Sequence, residues 1–252
     1  KELNGLIDRI ERWSRRVNER VGDSGISAAR GGSNGEPGPS RQPSSGEVVT
    51  PGEDTSDATN RLVDTSRRTA LAELEEQVGA CTRCPLHEGR TNAVPGMGVL
   101  DPLVMVIGEG PGADEDRQGL PFVGRAGQYL DKWLEALGLS RERDVYIANI
   151  VKCRPPENRD PRPGEIEACT PYLRRQIDII RPKTILALGR FAGSWLSGST
   201  GPLGRMRGKT FDFRGVPVVV TYHPSGVLRN PEYRRPVWED LKRLREIYRE
   251  LQ

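Results

Sequence analysis

Four cysteines carry the clearest chemistry in this sequence. Cys81 and Cys84 form the turn CTRC, and Cys153 and Cys169 bracket the segment CRPPENRDPRPGEIEAC. A C-x-x-C turn aims two thiolates at one metal, and a loop cysteine can face a helical one, so four sulfurs can converge across a long excursion of the chain. None of the four sits in an apolar run that reads as a strand, which argues against four small core side chains. Zinc and an iron-sulfur cluster both fit this spacing, although a zinc ribbon usually brings a second C-x-x-C. The second constellation is GEGPGADEDRQGLPFVG, residues 108–124, which follows the apolar run LVMVI. Gly108, Gly110 and Ala113 satisfy the dinucleotide pattern G-x-G-x-x-A, which needs a helix opening at once toward a pyrophosphate. Here Pro111 removes a donor, Asp114, Glu115 and Asp116 stand where the diphosphate would lie, and the next helix is expected only near Ala126. The electrostatics oppose a phosphate ligand. The remaining polar candidates are two histidines, His87 and His223.

These residues need a scaffold, and the pattern from Arg67 onward supplies one. RRTALAELEEQV reads as helix, and 103–107, 145–150, 184–188 and 216–222 are short β-rich runs. Leu130, Trp133, Leu134 and Leu137 recur at helical spacing before Gly138, and PGEIEACTPYLRRQIDII, GRFAGSWLSG and PVWEDLKRLREIY complete an alternation of strand and helix. The expected fold is α/β, a central, mostly parallel four-stranded sheet flanked by helices. In such sheets ligands bind beyond the carboxyl ends of the strands. The informative residues fall there: Gly108 to Gly112, Asn149 with Lys152, Gly189, and His223.

The N-terminal part reads differently. Residues 1–21 place Leu3, Leu6, Ile7, Ile10, Trp13, Val17 and Val21 on one helical face, an amphipathic helix suited to a protein partner or to its own domain. Residues 22–66 lack aromatic side chains and are rich in Gly, Ser and Pro. Such a segment buries too little to offset its ordering entropy, so a disordered linker is expected, with the folded domain at 67–252. Net charge is +3, but residues 201–252 carry eleven Lys/Arg against six Asp/Glu, which suits an anionic polymer. No run of apolar residues is long enough for a membrane span and no signal-peptide core is visible, so a cytoplasmic location is expected.

Taken in order, GEGPGADEDRQGLPFVGRAG, NIVKCRPPENRDPRPGE and HPSGVLRNP, with the four cysteines interleaved, resemble family 4 uracil-DNA glycosylases, the iron-sulfur class. The resemblance runs from about Glu73 to Arg249. It implies a 4Fe-4S cluster on Cys81, Cys84, Cys153 and Cys169, and excision of uracil from single- or double-stranded DNA, in a nucleoid-associated enzyme. The glycine loop, with Gly108, Gly110, Pro111 and Gly112, would then admit a flat, neutral ring extruded from the stack. Phe122 would stack on the base, and Asn149 would read its polar edge through an amide that donates and accepts. His223 would donate to the departing uracil anion. Glu109 would face the sugar and Glu115 would line the pocket near the C5 edge, or both would order the loop. Ser225, Val227, Leu228 and Arg229 would grip DNA, Val227 and Leu228 as a wedge and Arg229 on phosphate, with Arg205, Arg207, Lys209 and Arg214 adding phosphate contacts. A related class that captures uracil covalently uses a histidine after the third cysteine, and 154–168 hold none. A non-catalytic iron-sulfur binding protein is the remaining alternative.

Overall fold

The computed structural model describes residues 55–251; the helix expected over 1–21 and most of the expected linker lie outside them. A long helix α1 (Thr55–Gly79) begins upstream of Arg67, where the sequence pattern starts the domain, and is followed by the short α2 (Leu86–Gly89) beside the first two cysteines. The sheet has six strands: β1 (Met97–Gly98), β2 (Val104–Gly108), β3 (Val145–Asn149), β4 (Thr184–Leu188), β5 (Thr210–Phe213) and β6 (Val216–Thr221), in the order β1-β3-β2-β4-β6-β5. The four central strands are parallel, as expected from their continuous apolar runs. Two antiparallel edge strands complete the sheet. The expectation of four strands lacks both, because β1 is a two-residue pairing and β5 is half-exposed.

Strand side chains alternate between two layers. Met105 and Ile107 join a core with Leu173, Ile177 and Ile180 of α5 (Pro163–Ile180), with Ala192 and Leu196 of α6 (Gly189–Ser197) and with Met206 of the short α7 (Leu203–Met206). Val104 and Val106 face the other way, onto Leu130, Trp133 and Leu134 of α4 (Arg125–Ala136) and onto Val237, Leu241 and Leu244 of α9 (Arg234–Glu250). This period of two is what a sheet covered on both faces requires. Among the described residues no helix is long and apolar enough to cross a membrane.

Register brings the site together. Gly108 pairs with Asn149, and Leu188 pairs with Thr221, so the glycine loop, the base of α6 and the segment holding His223 emerge side by side. The chain leaves β2 toward β3 and then crosses back to β4, so β2 marks the place where the strand order reverses and a crevice opens. One expectation fails here. A helix α3 (Ala113–Gln118) opens directly after Gly112, well before Ala126. Its first turn holds Asp114, Glu115 and Asp116, acids that suit a helix N-terminus as well as they repel phosphate.

Candidate functional site

A cleft of about 530 Å³ opens at the carboxyl ends of the strands, lined among others by Glu109, Gly110, Pro111, Gly112, Glu115, Phe122, Asn149, His223 and Arg229. Gly108, at the end of β2, packs against two of the lining side chains, Asn149 and Phe122. A Cβ on Gly108 would fall 2.5 Å from Asn149 Oδ1 and 2.6 Å from Phe122 Cζ, so only glycine lets these two side chains approach the strand end. Asn149 Oδ1 is a buried oxygen without a hydrogen-bond partner, singular in this respect among the described residues. Burying such an acceptor unpaired costs about 1–3 kcal/mol, which a ligand that donates a hydrogen bond recovers.

Phe122 is buried and lies on a loop with φ 53°, a left-handed conformation that an aromatic residue adopts only under constraint. The constraint is visible. Arg141 donates to the carbonyls of Pro121 (3.1 Å) and Phe122 (3.0 Å) while its Nε holds Asp131 (2.9 Å). Gly127 of α4 lies so close beneath that a Cβ there would meet the Phe122 carbonyl at 1.8 Å. The phenyl ring stands 5.6 Å from the His223 imidazole, tilted by 35°. A planar ring resting on Phe122 therefore has His223 at its rim.

The three consecutive acids divide their work. Glu115 accepts hydrogen bonds from the backbone N–H groups of Gly112 (3.1 Å), Val123 (2.9 Å) and Gly124 (2.9 Å), tying the glycine turn to the Phe122 loop. Asp116 is buried and accepts from the N–H groups of Thr91 and Asn92. Asp114 pairs with Arg117 in the same helix. Of the two alternatives read for Glu115, loop ordering has the direct geometric support, since its oxygens are already committed to backbone donors.

Glu109 differs. Its carboxylate makes no hydrogen bond or ion pair to another described residue, and it lines the cleft with Asp160 and Arg190. Burial and the neighbouring Asp160 push its carboxyl up to about 7, against the pull of Arg190. An acid so poised exchanges protons near neutrality and can steady positive charge when ionised. Asp160 and Arg190 form an ion pair at 2.9 Å. Neither was singled out from the sequence, because they come from the proline-rich loop and from α6, and only folding joins them. Tyr222, inside the run 216–222 that reads as strand, lines the cleft as well.

His223 caps α8 (Pro224–Arg229). Its Nδ1 accepts from the Ser225 backbone N–H (3.2 Å) and meets the Ser225 hydroxyl at 2.8 Å. With Nδ1 an acceptor, the neutral ring carries its hydrogen on Nε2. Burial and Arg229 lower its pKa to about 4, so the imidazole is a neutral donor at physiological pH. Ser225, expected on DNA, thus orients the histidine. Two further expectations are revised. Val227 is buried in the core with α4, so Leu228, 39% exposed, is the wedge candidate on its own. Arg207 is held by the buried Asp240 at 2.7 Å and stacks on Tyr222, and Arg214 pairs with Asp178, so their charges are internally engaged.

Cys81, Cys84, Cys153 and Cys169 line a single small cavity with His87 and Tyr172. Backbone and side-chain donors point at the sulfurs: Lys152 N–H to Cys169 (3.2 Å) and Arg90 to Cys153 (3.1 Å). Burial pushes the Cys169 thiol up to about 11, so a metal must displace its proton on binding. His87 turns Nδ1 to the Cys84 carbonyl at 2.8 Å, a structural contact. The fully buried Lys152 links the two sites, its Nζ donating to the Asn149 carbonyl (2.9 Å) and to Gln176 Oε1 (2.6 Å).

Comparison with known proteins agrees with this geometry. The family model for the Uracil DNA glycosylase superfamily matches residues 95–242. Type-4 uracil-DNA glycosylases of Pyrobaculum aerophilum and Thermotoga maritima are 48% and 46% identical, over 68% and 72% of this chain and 91% and 96% of the relatives. A type-5 uracil-DNA glycosylase of Pyrobaculum aerophilum is 35% identical over 67% of the chain and 81% of its own length. With a glycine that admits an unpaired asparagine to the strand end, four cysteines around one hollow and likeness along nearly the whole length of those relatives, this chain belongs to the type-4 branch of the uracil-DNA glycosylase superfamily.

Proposed function

We propose that the protein excises uracil from DNA, hydrolysing the bond between base and deoxyribose and leaving an abasic site. The observation that carries this reading is the orphaned Asn149 Oδ1 beside Phe122, a combination suited to a flat ring that brings an N–H. A base reaches such a pocket only after leaving the helical stack. Uracil offers N3–H to Oδ1 and O4 to the amide nitrogen. Cytosine offers the reversed pattern and leaves buried groups unpaired, which gives discrimination of several kcal/mol in sites of this kind, roughly 10⁴-fold.

As the glycosidic bond lengthens, negative charge collects on the uracil oxygens and positive charge on the sugar. The Nε2–H of the neutral His223 stabilises the former without having to give up a full proton. Glu109, ionised above about pH 7, steadies the latter and orients the attacking water. Glu115 is a positioning residue, holding the turn that carries Glu109 against the loop that carries Phe122. Gly110 leaves room between Val151 and Pro155 where a longer side chain would intrude. Leu228 enters the gap left in the stack and Arg229 meets phosphate.

The four cysteines would hold a 4Fe-4S cluster. The four sulfurs that line one hollow suit one thiolate per iron. A cluster held there would tie the C-x-x-C turn to the Cys153 loop and to α5. The non-catalytic alternative predicts binding without base release. The deciding experiment incubates anaerobically purified protein with an oligonucleotide bearing one uracil, then applies alkali and records the visible spectrum of the same preparation. Strand scission at the uracil is expected with a brown sample; intact strands from a cluster-loaded sample overturn the reading.

A further inference from the structure

The helix that closes the chain has a face that neither the core nor the cleft uses. In α9 the residues Val237, Asp240, Leu241, Leu244 and Tyr248 are buried. At about 100° per residue, Arg234, Arg235 and Trp238 lie together on the outward side, and Lys242, Arg245 and Arg249 continue the same stripe. The glutamates of the helix, Glu239, Glu246 and Glu250, fall on an adjoining stripe with Arg243 beyond it, and Lys242 pairs with Glu239 at 2.7 Å. Trp238 is 39% exposed, a large aromatic surface to leave in water. Arg234 and Arg235 are exposed and have no ion-pair partner among the described residues.

This face adjoins the cleft. Tyr222, which lines the cleft next to His223, stacks at 3.9 Å on Tyr233, the residue before Arg234. Two residues past Trp238, Asp240 accepts a hydrogen bond from the Thr221 hydroxyl at 2.7 Å, pinning the helix to the end of β6. Arg229, Arg234, Arg235 and Trp238 therefore lead away from the cleft rim in sequence order, held by a stacked tyrosine pair and a buried carboxylate.

We propose that Arg234, Arg235 and Trp238 form a second nucleic-acid grip, which takes the single strand flanking the extracted nucleotide, with the arginines on phosphates and an unpaired base stacked on the indole. The proposal rests on the reading of the cleft as a uracil-DNA site. Unpaired cations beside an exposed aromatic ring match the chemistry of single-stranded DNA, a polyanion whose bases offer flat faces. Paired duplex offers no free face at that position, so the grip acts on single strands.

The test uses the full chain, loaded with its cluster, and single-stranded oligonucleotides with one uracil: a short one of about five nucleotides, and longer ones extended on the 5′ or the 3′ side. For the wild type, KM is expected to fall about 5- to 150-fold when one of the two flanks is lengthened, the range that base stacking on an aromatic residue gives. Trp238→Ala loses most of that gain and leaves kcat on the short substrate unchanged. Trp238→Phe, which keeps a flat ring, retains it. Arg234→Gln with Arg235→Gln lowers the salt dependence of KM on the long substrate by about 0.7 in log-log slope for each phosphate that the side chains no longer neutralise. A flank effect that survives Trp238→Ala, the absence of any flank effect in the wild type, or an equal loss on duplex of the same length overturns the proposal. Wild-type protein that releases no uracil from any substrate is a different failure, that of the glycosylase reading itself.

Discussion

Replacing Glu109 by glutamine should make the protein both more stable and nearly inactive. The carboxyl titrates at about 7 in the folded protein against 4.5 for an ordinary glutamate, because burial disfavours its charge and Asp160 adds repulsion that Arg190 only partly offsets. That difference corresponds to about 3 kcal/mol for a fully enclosed group. Glu109 is half-buried, and solvent screening reduces the figure to about 1–2 kcal/mol. The sign follows from the raised value: the folded state holds the proton more tightly, so its advantage is complete below about pH 4.5 and is lost as pH rises through about 7. Glutamine has no charge to bury. The gap between variant and wild type should therefore open between about pH 5 and 7.5, reaching roughly 2–8 °C in melting temperature for a domain of this size. Over the same window wild-type kcat/KM on a uracil oligonucleotide rises tenfold per pH unit and levels above about 7, whereas Glu109→Gln is flat and about 10²- to 10⁴-fold lower. Melting curves at a series of pH values and pre-steady-state cleavage rates measure both. A variant no more stable than wild type at pH 8, or a wild-type profile flat from pH 5.5 to 8.5, refutes the assignment of a strained, catalytic carboxylate at this position.

The other predictions address separate parts of the site. His223→Ala should slow cleavage about 100- to 1,000-fold with little change in KM, and wild-type activity should show no titration attributable to histidine above pH 5; single-turnover rates across pH check both. Arg141→Met leaves Asp131 and two carbonyls unpaired, so a loss of about 2–4 kcal/mol is expected together with a raised KM as Phe122 relaxes. Denaturant titration and steady-state kinetics report the two effects. Cys169→Ser should abolish the brown absorbance and cost on the order of 4 kcal/mol or more, because the fold loses the tie between the C-x-x-C turn and α5; iron content and melting temperature measured on one sample decide it.

Much of this organisation was legible in the residues. Continuous apolar runs identified the four parallel strands, since a strand buried on both faces has no polar alternation to obscure it. Asn149, Phe122 and His223 could be placed because each directly follows a strand or sits between glycines. Edge strands β1 and β5 were not legible: pairing at a sheet margin needs only two to four residues and little burial. Helix α3 is not legible because three acids in a row read as neighbours of a ligand, whereas Glu115 and Asp116 accept from backbone N–H groups and Asp114 pairs with Arg117. Val227 and Leu228 are adjacent and chemically alike, and only the rotation of α8 turns one into the core and leaves the other outside. Asp160 and Arg190 are separated by thirty positions, a pairing that no local pattern encodes.

Asn149 lines the cleft, and its buried Oδ1 keeps a lone pair that no protein donor meets. A ring that has surrendered its imide hydrogen meets that oxygen as one electron-rich atom facing another, and is refused. Turnover should therefore decline in strongly alkaline solution through titration of the nucleobase itself, while every side chain around it keeps its shape.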